Sequence, residues 1–519
     1  AEQVFHVTIN YYKAPGGQAF YSNATDPQLP ASLAGQVQSI SGLNNSMHWR
    51  HSALHTHTLT GHTALQPNVT CQGHGGNYFT PDQIQTAYNL NGIYGKGFHG
   101  EGQTVALFEL DTFQSGDIAA YTSCFGHSHT SIQAIKAGVG TVPSDSGVFE
   151  VELDAELVLS TAPSLGTLII YEAANNVSDY NAEWARIVQD APPVVSTSWG
   201  LCETDAGQAQ VNQENSYYMI AAAQGQSIFA ASGDSGSSGC LFNSQSPTPK
   251  ALVTGDPAAQ PLITGVGGTT LNINSNSTYS SETTWNNVPQ QAQFTGASTG
   301  GVSVFWPKPS WQNAPGVGNT NRESPDVSLS SDPFKGYLIY CTSSPAGCSS
   351  SSPWVIAGGT SCAAPMWAGM MALVNEELVK QGSFNIGFLN PLLYQVANGA
   401  NYGTDFHDVT TGNNDYNNLQ GGKYPAAPVY DMATGLGSFN ADALATDLVT
   451  LAKANNGQRL APASKTWYFP EGSQGGGFME FITLQNPDPA QTANVTFTYL
   501  SNGAPVVVQH SVPPSSRQT

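Results

Sequence analysis

Short apolar runs alternate with amphipathic stretches between about residue 78 and residue 453 of the 519-residue chain. Each run ends in small or polar residues, as buried strands do: TVALFEL (104–110), GTLIIYEA (166–173), PVVSTSWG (193–200), SIFAASGD (227–234) and PLITGVGG (261–268). Helical spacing separates them in TPDQIQTAYNL, FEVELDAELVLSTAP (149–163) and NQENSYYMIAAAQG (212–225). Because such alternation builds parallel sheets, the pattern predicts an α/β fold with helices on both faces and functional residues at the carboxyl ends of the strands.

The sections on either side have a different texture. The chain opens with strand-like alternation in AEQVFHVTINYY, and ATDPQLPASLAGQVQSISGL predicts a turn followed by a short helix. NNGQRLAPASK is typical of a linker, and the segments after it predict a small β module. We expect a chain trimmed at both ends with these sections: 1–43, a partial α/β unit; 44–77, a polar linker; 78–454, the main domain; 455–465, a second linker; 466–519, an incomplete β-rich module.

The first linker concentrates histidine. It carries six of the twelve His residues of the chain: His48, His51, His55, His57, His62 and His74. This spacing could bind a metal, but no Cys or acidic partner defines a site there. A solvated linker is therefore the favoured interpretation from the sequence.

Composition argues against a nucleic-acid-binding or membrane-spanning protein and favours a secreted one. Only 10% of the residues are charged, and 15 Lys and Arg stand against 36 Asp and Glu, for a net charge of −21. So few cations argue against a nucleic-acid partner, and no apolar run is long enough to span a membrane. Seven Cys fit three disulfides and one leftover thiol in a secreted, extracellular protein, and YCTSSPAGC suits a short disulfide loop. A surface of uncharged polar residues changes little when carboxylates are protonated, so it would tolerate acid. The alternative is that such a surface is simply typical of a secreted protein.

The stretch GGTSCAAP carries the first candidate chemistry. Gly358 and Gly359 allow a tight turn, Ser361 suits a helix cap, and Pro365 suits the first turn of a helix. A Ser held at this turn would also lie near the positive end of the helix dipole, which suits a nucleophile. Both interpretations stay open from these residues alone. We expect Cys362 to be a small buried hydrophobe.

A serine nucleophile needs a base, and histidine is the usual one. Asp111 ends a strand, as the acid of an Asp-His-Ser triad would. The histidine of such a triad is missing, because His99 precedes the strand and His127 and His129 lie in a polar loop. The sequence therefore disfavours a histidine base.

The carboxylates of FEVELD offer another base. Glu150 and Asp154 are four residues apart on a predicted helix, so they share one face and tend to share a proton. A charged solvent face is the simpler alternative, although no Lys or Arg balances these acids. Asp234 in ASGDSG is a third carboxylate at the end of a strand, or else a turn residue.

The motifs EVELD, STSWG, ASGDSG, GGTSCAAP and FHDVTTG…YDMATGLG occur in the order found in the sedolisin family, the serine-carboxyl peptidases. This resemblance covers about residue 78 to about residue 453 and implies a subtilisin-like fold with Glu in place of the catalytic His. It implies the following roles: Ser361 as nucleophile, Glu150 as general base and acid, Asp154 as the residue that orients Glu150, Asp234 as the oxyanion-hole acid beside the Ser361 N–H, and Glu109 and Trp199 as the groups behind the pair. A carboxylate base and a protonated Asp234 together predict a bell-shaped pH profile well below neutral.

The resemblance also implies a calcium ion, a propeptide and disulfides. One structural Ca²⁺ would take oxygen ligands from five residues: Asp408, Val409, Ala427, Val429 and Asp431. At positions 427 and 429 the family commonly has Gly, so this chain departs from the pattern there. Residues 1–43 resemble the C-terminal part of the family's propeptide. The implied disulfides are Cys71–Cys124, Cys202–Cys240 and Cys341–Cys348.

These inferences predict a secreted, acid-active serine-carboxyl endopeptidase that is made as a self-processing zymogen. We expect a monomer that cleaves protein or peptide substrates and is inhibited by its own propeptide. One alternative is an exopeptidase of the same family that removes tripeptides. Another is a non-catalytic binding protein, against which the intact catalytic positions argue. We further hypothesise that the His-rich linker gains charge on acidification and loosens.

Overall fold

The computed structural model describes residues 1–13, 19–33, 37, 40, 42–51, 54–58, 78–127, 130–243, 246–287, 295–457, 484–486, 492–499, 506–513 and 516–518. The helices in chain order are α1 (Glu2–Phe5), α2 (Pro81–Ala87), α3 (Leu90–Gly95), α4 (Ser115–Phe125), α5 (Val148–Thr161), α6 (Val177–Asp190), α7 (Glu203–Gln224), α8 (Thr360–Lys380), α9 (Asn390–Ala397), α10 (Tyr402–Asp405) and α11 (Ala441–Gly457). The strands in chain order are β1 (Ile9–Lys13), β2 (Ala19–Asn23), β3 (Arg50–His51), β4 (Leu54–Thr58), β5 (Tyr78–Phe79), β6 (Thr104–Glu109), β7 (Ser131–Lys136), β8 (Thr167–Glu172), β9 (Val194–Thr197), β10 (Trp199–Cys202), β11 (Ser227–Ala231), β12 (Gly255–Asp256), β13 (Thr264–Ile273), β14 (Tyr279–Thr284), β15 (Gly301–Pro307), β16 (Asn321–Ser324), β17 (Val327–Ser330), β18 (Gly336–Tyr340), β19 (Trp354–Gly358), β20 (Phe406–His407), β21 (Ser438–Phe439), β22 (Leu484–Asn486), β23 (Ala493–Tyr499), β24 (Val506–Val512) and β25 (Ser516–Gln518).

The main sheet has the order β14-β13-β11-β9-β6-β8-β7, and β17 pairs with β13 beside that path. Every pair in it is parallel except β13 with β14, which is antiparallel. The five apolar runs named above form β6, β8, β9, β11 and β13. The predicted parallel α/β architecture is therefore confirmed, with one antiparallel strand added at its edge.

The residues of the central strands enter two different cores. In β6, Val105 and Leu107 pack with side chains of α5 and α8, whereas Ala106 and Phe108 pack with side chains of α6 and α7. Successive side chains of a strand point to opposite faces, so a strand covered on both faces is apolar throughout. Helices therefore lie on both faces of the sheet, as the sequence predicted.

Helices α5 and α8 approach each other closely. There is no room for a side chain at Gly369 of α8, because a Cβ atom at this position would lie 2.7 Å from Cβ of Thr161 at the end of α5. The small residue allows the two helices to pack with little space between them. This packing sets the acidic side chains of α5 near the beginning of α8.

The described part of the linker, residues 44–51 and 54–58, is docked on the main domain, which corrects our expectation of a solvated segment there. β3 pairs antiparallel with β10, with His51 opposite Trp199, and β4 pairs antiparallel with β19, with Leu54 opposite Gly358. Trp49 is only 2% exposed. The physical reason is that β10 and β19 each have an open edge, whose backbone groups pair with an added strand. His62 and His74 lie outside the described residues.

The ends of the chain differ in part from the sequence prediction. The opening residues form the one-turn helix α1 before strand β1, because the Glu2 carboxylate folds back to accept the Ile9 N–H at 2.8 Å. The short helix expected within residues 24–43 falls partly outside the described residues. Helix α11 continues to Gly457, and the described part of the last section contains two antiparallel pairs, β23 with β24 and β22 with β25. Within the described part of the chain, no helix combines the length and apolar character that crossing a membrane requires.

Candidate active site

Helix α5 carries four acidic side chains, and all fourteen of its residues are buried. Glu150 and Asp154, the pair predicted to act together, are each 0% exposed. The alternative of a charged solvent face is therefore wrong. The physical reason is that α5 is surrounded, since it packs against α8, α4 and β18.

Glu150 meets a histidine of the linker. Nδ1 of His51 lies 3.2 Å from Oε2 of Glu150. Burial opposes a charge on His51, but the hydrogen bond to Glu150 and the charges of Glu150 and Asp111 outweigh it and raise the pKa of His51. The imidazole also contacts the Trp199 ring edge-on, with 5.4 Å between ring centroids. The docked linker thus covers the carboxylate that was predicted to be the base.

Further buried polar side chains extend this carboxyl cluster. The Ser198 hydroxyl donates to the Asp154 carboxylate at 2.8 and 2.9 Å, and Nε1 of Trp199 donates to Glu109 at 2.7 Å. Burial, then the negative charges of Glu109 and Glu150, raises the pKa of Asp154 well above its usual range. Burial likewise raises the pKa of Glu109 well above its usual range. The neutral forms are therefore favoured, and the cluster shares protons.

Ser361 lies in the first turn of α8 and is 0% exposed. The cap of the helix is Gly359, whose φ of 108° falls in the left-handed region that favours glycine. Two details of the sequence prediction are therefore corrected: Ser361 is not the cap, and Pro365 lies in the second turn, because the helix begins at Thr360. Within the described part of the chain, the Ser361 hydroxyl has no hydrogen-bond partner. It is thus not used to hold the helix.

Asp234 lies beside the same end of α8. Its Oδ1 atom accepts hydrogen bonds from the Thr360 amide at 2.9 Å and from the Thr360 hydroxyl at 3.0 Å. Its Oδ2 atom is buried and has no partner among the residues that the structure describes. Burial raises the pKa of Asp234 to about 8. The carboxyl group therefore keeps its proton at neutral pH and can donate from Oδ2 next to Ser361.

Cys362, the residue after Ser361, is close to several of the carboxyl groups described above. Cys362 is free and buried, as predicted. Burial, followed by the charges of Glu150, Asp234 and Asp154, raises the pKa of its thiol well above the usual range. The carboxyl groups of Glu150, Asp154 and Asp234 therefore lie near enough to Cys362 for their charges to act on its thiol.

The histidines considered for a triad have other partners. The His99 amide donates to Glu376 at 2.7 Å, and the His99 ring stacks on Tyr94 with 5.2 Å between centroids. Burial lowers the pKa of His127 to about 4. His129 lies outside the described residues. These contacts provide no histidine base for Ser361 within the described ranges.

The residues predicted to bind calcium meet around one tyrosine. The Tyr402 hydroxyl lies 3.1 Å from Oδ1 of Asp408 and 2.9 Å from the Val429 carbonyl oxygen. Burial, then the charges of Asp408 and Asp431, raises the pKa of Tyr402. Val429 has a φ of 72°, a left-handed conformation that is strained for a β-branched residue and favours glycine. Ala427 donates its N–H to Asp431 at 3.0 Å. Two carboxylates and a carbonyl oxygen thus gather there, as a hard cation requires.

Two predicted disulfides are present, Cys202–Cys240 and Cys341–Cys348. The pairing expected for Cys124 involves Cys71, which lies outside the described residues. Two other groups hold acidic oxygens close to sulfur: Cys202, Asp205 and Cys240, and Asp117, Glu152 and Cys341. Their sulfur atoms are all in disulfides, so they lack the thiolate that binds a metal well.

Several residues of the site were not found from the sequence. Ser198 lies inside STSWG, next to a residue that was chosen, and a signal for it was therefore available. Thr360 also lies inside a chosen motif. His51 was noted only as one of the linker histidines, and Tyr402 not at all, because each meets its partners only through the tertiary fold.

Comparisons with known proteins agree with this geometry. The family model described as Pro-kumamolisin, activation domain, matches residues 1–46. Kumamolisin from Bacillus sp. (strain MN-32) is 31% identical over 453 residues, which cover 84% of this chain and 74% of that protein. Tripeptidyl-peptidase 1 from Canis lupus familiaris is 29% identical, with 81% and 72% covered.

A solved structure extends the agreement to the fold. Pseudomonas sedolisin, a serine-carboxyl proteinase complexed with two molecules of pseudo-iodotyrostatin, aligns with a TM-score of 0.63 at 27% identity. The alignment covers 74% of this chain and 100% of that one. The chain therefore belongs to the sedolisin family of serine-carboxyl peptidases and is a serine-type peptidase with a propeptide activation domain.

Proposed function

We propose that this peptidase is an acid-active endopeptidase that is secreted as a zymogen and processed by its own active site. Ser361 attacks the substrate carbonyl carbon while Glu150 accepts the hydroxyl proton, with Asp154 holding Glu150 in place. The oxyanion accepts hydrogen bonds from protonated Asp234 and the Ser361 amide. Glu150 then returns the proton to the leaving amine, the C–N bond breaks, and water hydrolyses the acyl-enzyme by the same steps.

The path of the linker along the main domain is the observation that favours an endopeptidase over an exopeptidase. Five consecutive residues lie against the main domain up to the contact with Glu150: Met47, His48, Trp49, Arg50 and His51. Because His51 contacts Glu150, this stretch occupies the N-terminal side of the cleft. An enzyme that removes tripeptides needs a cleft closed after the third residue, whereas this path admits at least five. Because one relative is named tripeptidyl-peptidase 1, an exopeptidase is the second candidate function.

The acid requirement rests on the carboxyl cluster around Glu150. A carboxylate base works best near its own pKa, well below that of histidine. Asp234 differs from our expectation, since burial raises its pKa to about 8 and its proton persists without acid. Asp234 can therefore donate to the oxyanion at neutral pH as well as in acid. The acid requirement therefore rests on the use of a carboxylate in place of histidine as the base.

The activation domain and the disulfides support the remaining parts of the proposal. The matched segment 1–46 leads directly into the docked linker, so the propeptide ends in the cleft it inhibits. We place the linker and processing region at 44–77 and the catalytic domain at 78–454. Disulfides such as Cys341–Cys348 favour secretion, because they persist outside the cytosol. We expect a monomer.

One Ca²⁺ is part of the proposal and would be held by oxygen atoms of Asp408, Val409, Ala427, Val429 and Asp431. When bound, it would neutralise the two carboxylates and fix the loop around the strained Val429. Chelation should therefore lower the melting temperature, and added Ca²⁺ should restore it. In Asp431→Asn the same chelation should change it little. A melting temperature indifferent to chelator in the wild type contradicts the calcium site.

Hydrolysis of peptides between pH 2 and pH 8 tests the proposed function. Mature wild type and Ser361→Ala should each be assayed with internally quenched peptides whose N-termini are free or acetylated. We expect Ser361-dependent cleavage with an acid optimum, at similar rates for both N-termini. Cleavage only of free N-termini would establish the exopeptidase. A neutral optimum would remove Glu150 from the role of base.

A further inference from the structure

The side chain of Trp49 fills a slot in the main domain. Its indole stacks on the Tyr180 ring, with 3.8 Å between centroids and 11° between planes. Tyr180 contacts Phe108 edge-on, Phe108 stacks on Trp184, and Trp184 contacts Tyr218 edge-on. Trp49 is thus the outermost ring of an aromatic array whose other four rings belong to the catalytic domain.

The backbone at Trp49 is held by one side chain. The Asn175 amide oxygen accepts the Trp49 N–H at 2.9 Å, and the Asn175 NH₂ group donates to the Trp49 carbonyl at 2.8 Å. These two bonds recognise a peptide backbone whatever its side chain is. The slot beside them must therefore supply the selection between side chains.

The slot has a defined place relative to the reacting groups. Trp49 lies two residues before His51, which contacts Glu150. Arg50 between them is exposed and bonds the Phe242 carbonyl at 2.6 Å and the Asn243 side chain at 2.9 Å. Glu150 cannot act as a base while His51 covers it, so processing must remove this segment. The slot is then vacated in the mature enzyme.

We propose that the slot lined by Tyr180, with Asn175 at its edge, is a substrate subsite for a large aromatic side chain. It lies on the N-terminal side of the scissile bond and binds the substrate residue two positions before the one that faces Glu150. This inference rests on the proposed function of the cleft. A flat indole or phenyl ring completes the aromatic array, whereas a small or charged side chain leaves the Tyr180 face uncovered or buries a charge.

The enzyme's own linker sequence supplies the test. Internally quenched peptides spanning positions 45–58 (NSMHWRHSALHTHT) should be offered to the mature wild-type enzyme. We expect Trp49→Ala in the peptide to lower kcat/KM about tenfold or more and Trp49→Phe to lower it less than about threefold. Asn45→Ala is the matched control and should change nothing, because Asn45 bonds Tyr21 of the propeptide section. If a peptide resists cleavage, its inhibition constant replaces kcat/KM.

Two enzyme variants distinguish the contribution of the two Asn175 hydrogen bonds to the substrate backbone from that of the slot. Asn175→Ala should lower kcat/KM for the Trp and Ala peptides alike, whereas Tyr180→Leu should reduce the ratio between them. Should Tyr180→Leu fail to fold, the peptide series with the wild type still decides. Equal rates for the Trp and Ala peptides overturn the subsite. A denatured protein digested in parallel, with Ser361→Ala as the blank, shows whether the proposed function stands when the subsite fails.

Discussion

Helix α5 carries two carboxyl pairs with the same spacing, Glu150 with Asp154 and Glu152 with Glu156, and all four side chains are 0% exposed. The first pair meets other side chains, His51 and Ser198. The second pair accepts backbone N–H groups, from Gln114 at 3.1 Å and from Tyr340 at 2.9 Å. Spacing and burial are therefore equal in the two pairs, and only their partners differ.

On the proposed function, the difference separates a reactive pair from a structural one. Glu152 and Glu156 hold the chain before α4 and the end of β18 through amides that cannot move away. Glu150 has a partner, His51, that on the proposed function leaves with the propeptide and frees Glu150 to act on the Ser361 hydroxyl. A buried carboxyl pair is thus a catalytic candidate when its partner can be exchanged for substrate, and an anchor when backbone amides hold it.

The largest expected effect is on the rate of catalysis, and it should differ between a substitution in the first carboxyl pair and the same substitution in the second. Glu150→Gln should lower kcat by about 10²–10⁴-fold, because an amide cannot accept the Ser361 proton. Glu152→Gln should stay within about threefold of wild type, since it keeps the oxygen that accepts the Gln114 N–H. Peptide hydrolysis at the acid optimum measures both variants. Equal losses in the two would mean that the comparison does not reflect function.

The next effect concerns stability and comes from the structural pair. Burial, followed by the charge of Asp117, raises the pKa of Glu152 from 4.5 to about 9. The folded protein therefore keeps a proton that the unfolded chain releases, so the stabilisation is complete below pH 4.5 and is lost as the pH rises toward about 9. Wild type should melt several degrees lower at pH 8 than at pH 4, and Glu152→Gln should narrow that gap.

A matched control keeps this measurement specific. Glu101 is 62% exposed at its side chain, and Glu101→Gln should leave the difference in melting temperature between pH 4 and pH 8 unchanged. If Glu152→Gln behaves like Glu101→Gln, the buried carboxyl does not hold the extra proton. The structural pair would then have no part in acid stability.

The smallest effect concerns activation of the zymogen and uses His51. Because docking raises the pKa of His51, the contact with Glu150 is fully favourable below the ordinary histidine pKa of 6.5 and is lost as the pH rises through the raised value. Acid thus strengthens this contact, which is opposite in sign to a linker that loosens by gaining charge. His51→Gln should release the propeptide about half a pH unit higher.

Processing followed on gels across a pH series checks that sign. His6→Gln is the control, because His6 is an exposed residue of the propeptide section. A lower activation pH in His51→Gln would restore the hypothesis that charge on the linker drives its release. The six-histidine variant, with every linker His changed to Gln, would then extend the same shift.

The sheet and the turn at Ser361 could be predicted because their signals are local. Continuous apolar runs mark strands covered on both faces, and two glycines before a helix mark a sharp turn. The docking of Trp49 could not be predicted, because its partner Asn175 is 126 residues away and no periodicity links the two. The pKa of Asp234 depends on burial, which the sequence does not specify at a single position. Partners that meet only through the fold account for most of what was missed.

The buried thiol beside the nucleophile bears on how this enzyme responds to alkylating reagents and oxidants. Such reagents attack the thiolate, and Cys362 is 0% exposed with a pKa raised well above its usual range. Iodoacetamide and mild peroxide should therefore leave activity intact even though a cysteine follows Ser361 directly. An inhibitor panel that sorts peptidases by thiol sensitivity would place this enzyme among the insensitive ones, and it would keep its activity without a reducing agent.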